Sequence, residues 1–163
     1  MSDRRLRAAI LVLSALGAGI AAYLTYAHLA HVQVACATGG CETVQNSRWS
    51  ELGGVPVAAF GLVGYVLLAA TALSGREVAR AAGAAAATGA FAFAMFLLWV
   101  MAARIGAFCQ WCLASDVLLT LLVPATLLRA WRAAPPGGGS SRPAPRPAGS
   151  GLGRPATPAP PSR

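Results

Sequence analysis

The side chains in this sequence best suited to chemistry are four cysteines in two close pairs, Cys36 with Cys41 and Cys109 with Cys112. Thiols exchange disulfides once one of them ionises, and they hold metals when several converge. Cys109-Gln110-Trp111-Cys112 is the sharper signal, placed where Gly106-Ala107-Phe108 gives way to a hydrophobic stretch. If that stretch is helical from about Cys109, the two sulfurs lie one turn apart on one face. The free amide groups and positive dipole end of a helix N-terminus then favour thiolate over thiol, which lowers the pKa and speeds exchange. The competing reading is a structural disulfide or a pair of small buried residues. Cys36 and Cys41 enclose Ala-Thr-Gly-Gly, a flexible ring that closes easily. So short a ring gains little loop-closure entropy, so stabilisation is a poor reason for the bridge. An exposed disulfide is instead open to a partner thiol.

Two other features compete for attention. His28 and His31 precede Cys36 and Cys41, which makes a set of two histidines and two cysteines. Zinc sites usually pair cysteines two to four residues apart with a distant histidine pair, and this spacing differs. The histidines fit better as the interfacial end of a helix, beside Tyr23 and Tyr26 as belt residues. No metal is expected. Asp116 is a carboxylate inside a hydrophobic stretch, a functional candidate by default. Four residues after Cys112, it shares that residue's helix face.

The elements that must position these groups follow from composition. The chain has 163 residues, is 56% hydrophobic and only 11% charged. Its mean hydropathy is +0.60. A soluble domain needs more charge to cover its surface, so the solvent is a bilayer. Four stretches read as spans, over about 8–30, 55–73, 81–103 and 112–128. Each approaches the roughly 20 residues that cross a bilayer, and lipid offers the backbone no partner, so each is expected to be a helix. The fold expected is an all-α integral membrane protein: a four-transmembrane-helix bundle with a short outer loop or interfacial helix. Residues 1–132 form this membrane domain. Residues 133–163, rich in Pro, Gly, Ser, Ala and Arg, are expected to be a disordered cytoplasmic tail.

Every basic residue apart from the two histidines is arginine. With the N-terminus inside, Arg4, Arg5, Arg7, Arg76, Arg80, Arg129 and Arg132 flank the spans on the cytoplasmic side. Only Arg48 and Arg104 lie outside, a clear positive-inside bias. Both cysteine pairs then face the same, oxidising side. The net charge of +8 is explained by membrane orientation, and no nucleic-acid partner is implied. Arginine without lysine suits a GC-rich bacterial genome. The first span is longer than the h-region of a signal peptide, so it is read as retained.

After Cys41 the chain runs Glu-Thr-Val-Gln-Asn-Ser-Arg-Trp-Ser-Glu-Leu-Gly-Gly-Val-Pro. Trp49 suits a segment at the interface, and Gly53, Gly54 and Pro56 suit a turn into the second span. The order of a loop cysteine pair, Ser47-Arg48-Trp49, Gly54-Val55-Pro56 and then C-x-x-C opening the last helix resembles the vitamin K epoxide reductase family, over roughly 7–132. The DsbB family places its C-x-x-C in the first outer loop, the reverse of the order here.

The resemblance implies an electron path. Cys36 is attacked by the reduced cysteine of a thioredoxin-fold partner, Cys41 exchanges with Cys109, and Cys112 faces a quinone. Ser47 matches the family's hydroxyl near the quinone or the cysteines. The expected enzyme is a quinone-dependent disulfide-forming oxidoreductase, with menaquinone or ubiquinone as acceptor from the membrane quinone pool. It lies in a bacterial plasma (inner) membrane, both termini cytoplasmic. Many bacterial relatives carry a fused thioredoxin-like domain after a fifth span; here a separate extracytoplasmic thioredoxin-fold oxidase is expected. The animal enzymes hold vitamin K with an Asn and a Tyr, and Asp116 stands where that Tyr would fall, so quinone reduction rather than epoxide reduction is expected. Asp116 would relay a proton to the reduced quinone or a thiolate, or merely rest against the helix N-terminus. Arg48 and Arg104 are read as headgroup contacts, with Arg48 also a candidate to favour a quinone anion. The alternatives are a non-catalytic membrane protein with structural disulfides and an extracytoplasmic metal-binding module. The resting disulfide pattern is open, because four cysteines allow three full pairings as well as a Cys41–Cys109 bridge with two free thiols.

Overall fold

The computed structural model describes residues 2–37 and 39–133. The expected tail lies, apart from its first residue, outside the described residues. Among the described residues five helices carry the fold: α1 (Asp3–Leu29), the short α2 (Cys41–Gln45), α3 (Val57–Leu73), α4 (Glu77–Val100) and α5 (Gln110–Ala133). A π-helical turn, Met101–Ile105, extends α4. It ends on Gly106 in the left-handed region, which turns the chain toward the second cysteine pair.

Among the described residues three helical segments, Asp3–Leu29, Glu77–Ile105 and Gln110–Arg132, are long and apolar enough to cross a membrane. The fourth apolar helix, α3, has 17 residues, or about 26 Å of axial rise. The helices run past the uncharged stretches at the arginine end, so that Asp3, Glu77, Arg80 and Arg132 are helical. Apolar content alone could not locate those ends, because a helix continues beyond hydrocarbon wherever its backbone stays paired.

The outward faces carry exposed Val12, Leu16, Val63, Val66, Val117 and Leu121, which suit a lipid solvent. The interior shares small residues, Ala21, Ala72, Ala87 and Ala94, with Ile10, Tyr65, Leu68, Leu119 and Leu122. Without a hydrophobic drive between helices in lipid, small residues gain contact by letting backbones approach. α1 packs on α3 and α5, and α4 packs on α5 and α3. The ring of Tyr65 on α3 lies directly over Gly17 on α1, in space that any larger residue there would fill.

At the cysteine end, the short α2 begins on Cys41 itself. Trp49 lies beyond it. A two-stranded antiparallel hairpin follows, β1 (Glu51–Leu52) and β2 (Val55–Pro56), pairing Glu51 with Pro56 and Leu52 with Val55. Gly53 and Gly54 both have positive φ, as a tight two-residue hairpin turn requires. This hairpin is a departure from an all-α chain, and it sits where the glycine pair permits it.

Candidate active site

Cys36 and Cys41 are joined as a disulfide with their Cα atoms 5.9 Å apart, and Cys109 and Cys112 are free thiols. Cys41 and Cys109 are both fully buried in one apolar cluster with Leu24, Ala27, Val34 and Met101. Cys36, Cys112 and Trp111 pack against the same cluster. The two pairs, about 70 residues apart in sequence, therefore share one environment.

Backbone contact explains how. Gly40, just before Cys41, lies against the carbonyl of Phe108, just before Cys109. A side chain at position 40 would collide with that backbone. The residues between the second pair hold the other flank. The Trp111 indole N–H donates to the Ala35 carbonyl at 2.8 Å. The Gln110 amide accepts from the Ala37 N–H at 3.0 Å and donates to the Ala35 carbonyl at 3.4 Å. The Ala35 N–H donates to the Tyr23 hydroxyl at 2.9 Å, and the Tyr23 ring meets Trp111 edge to face. Cys36 thus sits between two residues pinned by the C-x-x-C motif and by α1.

The sequence reading gave Tyr23 and Tyr26 a common role as interfacial belt residues. Tyr26 is exposed, whereas the Tyr23 hydroxyl is a fixed partner of the Cys36 segment. Gln110, Trp111 and Gly40 were likewise not singled out. Only the C-x-x-C spacing pointed to the first two, and nothing local marks the third.

Cys109 is the better thiolate of its pair. A hydrogen bond from the Cys112 thiol, joined by backbone N–H groups of Cys112 and Trp111, outweighs burial and lowers its pKa to about 7. The Cys112 N–H lies 3.4 Å from Cys109 Sγ. This is the helix N-terminal stabilisation of a thiolate, and it falls on the cysteine buried beside Cys41.

Beneath the cysteines a cavity of about 270 Å³ opens among α1, α3, α4 and α5. That exceeds the roughly 150 Å³ that holds a benzene in a protein core. Its lining is apolar, from Leu24, Phe60 and Phe93 down to Leu68 and Leu119. The exceptions include Gln45, Ser47, Ser50, Cys112, Ser115, Asp116 and Tyr65, all on its wall. An apolar cleft with a few convergent polar groups is the usual form of a small-molecule site. The Ser47 hydroxyl donates to the Val44 carbonyl at 2.7 Å, leaving its oxygen able to accept. Tyr65 and Ser115 hydroxyls are 2.7 Å apart. Asp116 Oδ2 is shielded from solvent without a hydrogen-bond partner. Sequence reading missed Tyr65 and Ser115, because each looks like an ordinary member of an apolar helix.

The remaining candidates lie elsewhere. His28 Nε2 is 2.8 Å from Glu51 Oε1, so this histidine ties α1 to the hairpin. Among the described residues no three His, Cys, Asp or Glu side chains gather as a metal site. Arg48 is exposed and stacked over Trp49, and Arg104 stacks over Trp99. A model of the vitamin K epoxide reductase family matches residues 8–127, the stretch that runs from the first helix through both cysteine pairs and the cavity, and so the chain belongs to that family.

Proposed function

We propose that this chain is a membrane thiol–quinone oxidoreductase that reoxidises a separate extracytoplasmic thioredoxin-fold oxidase and passes the electrons to menaquinone or ubiquinone. One observation carries the reading: the two cysteine pairs adjoin each other through Gly40 and Phe108, and Cys112 lines an apolar cavity below them.

In this reading the reduced partner's thiolate attacks Cys36 Sγ, and Cys41 leaves as a thiolate. The partner's second thiolate attacks its own sulfur in the mixed disulfide, which releases Cys36 and leaves the partner oxidised. Cys41 then attacks Cys109 in a Cys109–Cys112 disulfide, expelling the Cys112 thiolate. Cys36 attacks Cys41 Sγ and frees Cys109. The loop is a disulfide again, and two electrons rest on the inner pair. A Cys36–Cys41 bridge beside free Cys109 and Cys112 thiols is the pattern this step would leave.

From there a dithiol and a quinone become a disulfide and a quinol. Cys112 sulfur bonds to the quinone ring, the Cys109 thiolate attacks Cys112 Sγ, and the ring leaves with both electrons. Cys109 suits that attack because it is the ionised partner. The quinol takes up two protons in total, which balance those of the dithiol. Asp116 is the group proposed to hand one of them over, and the Ser47 and Tyr65 hydroxyls anchor the ring. α3 is proposed as a fourth span. That places both termini in the cytoplasm of a bacterium and the cysteines outside its inner membrane, as the arginine distribution favours.

Anaerobic mixing of the purified protein with a reduced thioredoxin-fold protein and a quinone tests the proposal. Quinone loss that disappears in Cys112→Ala, with a mixed disulfide trapped at Cys36, is the expected result. Absence of quinone loss, with a Cys36–Cys41 bridge that resists mild reductant, would sink the reading and leave a structural disulfide.

A further inference from the structure

The end of the bundle opposite the cysteines is formed by the first turns of α1 and α4 and the last turns of α3 and α5. Three arginines meet there. Arg129 on α5 is 3% exposed, and it donates to the carbonyls of Thr71 at 3.2 Å and Ser74 at 3.0 Å. Arg7 on α1 donates to the Leu73 carbonyl at 3.0 Å. These bonds cap the C-terminus of α3, whose last carbonyls have no partner within the helix. They leave much of the charge unanswered. Arg7 and Arg80 both lie near enough to Arg129 for their charges to bear on it. Among the described residues Asp3 is the carboxylate that meets the three, 3.5 Å from Arg129 Nε.

One donor is left over in this cluster. The Nε–H of Arg80 is shielded from solvent and makes no hydrogen bond, whereas Arg129 Nε faces Asp3. A buried donor without a partner costs free energy, and a desolvated cation more so. Guanidinium N–H groups match the oxygens of a phosphate. The surroundings say where that phosphate comes from. Leu73, Val78 and Leu128 stand exposed at this end, and Trp131 is 82% exposed on the last turn of α5. Exposed apolar side chains with a tryptophan beside them mark the level where acyl chains give way to headgroups.

We propose that Arg7, Arg80 and Arg129 form a binding site for the phosphate of an anionic phospholipid in the leaflet at this end of the bundle. The lipid oxygens take the free Arg80 Nε–H donor and answer the surplus charge of the three guanidinium groups, and the acyl chains lie along Leu73 and Val78. The site is remote from the cysteines and does not depend on the redox reading.

The test compares the full chain in nanodiscs of phosphatidylcholine alone and with phosphatidylglycerol added, following thermal unfolding, with lipid retention measured by native mass spectrometry. Phosphatidylglycerol is expected to raise the unfolding temperature and to remain as one bound molecule. Arg80→Gln, and separately Arg7→Gln, are expected to weaken that retention about fivefold, the usual worth of one arginine near a membrane surface. Arg4→Gln, an exposed residue at the same end, serves as control. Equal losses in all three variants would mean diffuse surface attraction and overturn the site. So would no difference between the two lipids. Inorganic phosphate in detergent that reproduces the whole stabilisation, lost in Arg80→Gln, would overturn the lipid assignment in favour of free phosphate.

Discussion

The indole N–H of Trp111 donates to the carbonyl of Ala35 across 76 residues of sequence, at 2.8 Å. With Gln110, which bonds both Ala35 and Ala37, it makes the middle of the C-x-x-C motif a clamp on the segment that carries Cys36. The motif therefore does two jobs in the proposed reaction. Its cysteines exchange electrons, and its intervening residues present the other pair.

Loosening that clamp is expected to slow transfer between the pairs. Trp111→Phe keeps an aromatic ring against Tyr23 and removes one hydrogen bond, worth about 1 kcal/mol. Interpair exchange should slow about fivefold, and Gln110→Ala should do the same or more. Single-turnover loss of loop thiols, after the partner reduces Cys36–Cys41, reads this directly. Unchanged rates in both variants would remove the positioning role.

Gly40→Ala tests the close approach to Phe108. The added methyl meets a backbone carbonyl rather than a movable side chain. The loop has to shift, and Cys41 moves away from Cys109. The expected result is a large drop in a Cys41–Cys109 bridge trapped in a Cys36→Ala, Cys112→Ala background. The Cys36–Cys41 bridge of the otherwise native protein should still form, since its ring does not include that contact. A full yield of the trapped bridge would refute the contact's role.

The pH dependence follows from Cys109. Its folded pKa is lowered to about 7 by the Cys112 hydrogen bond, so the thiolate predominates above that pH and is lost below it. Quinone reduction should fall as pH drops through about 7. Cys112→Ala removes the first cause of the shift, and the titration of Cys109 should then move upward. Ultraviolet thiolate absorbance against pH, in the native chain and this variant, checks the sign. A titration that stays in place would assign the shift to the helix N-terminus alone.

Asp116 and Tyr65 can be separated by conservative changes. Asp116→Asn keeps the shape of the cavity and removes a proton carrier, so turnover should fall by about 10²-fold or more. Tyr65→Phe keeps the ring over Gly17 and removes the hydroxyl that meets Ser115. It should raise the KM for quinone severalfold with a smaller change in kcat. Steady-state kinetics with a range of quinone concentrations distinguish the two. Asp116→Asn with native turnover and an unaltered pH profile would end the relay proposal.

The helical character of the chain and the grouping of its four cysteines at one end were legible from residues alone. Long uncharged stretches have one economical backbone solution in lipid, and arginine placement gives them an orientation. The C-x-x-C at the start of α5 was equally plain, because helix periodicity puts its two residues on one face. Cys112 and Asp116 both reaching the cavity wall follows from the same periodicity.

What the sequence left open was which distant segments touch. The resting pattern of one bridge and two thiols, Gly40 against Phe108, Tyr65 over Gly17 and the Arg129 cap on α3 all depend on helices meeting at particular heights and rotations. Apolar helices with small interfaces can pack in several such registers, and local propensity does not choose among them. Close packing chooses, through a glycine that admits a neighbour or a donor that reaches a distant carbonyl. The cysteines and their spacing came from the sequence, while the proximity that lets them exchange came from the tertiary structure.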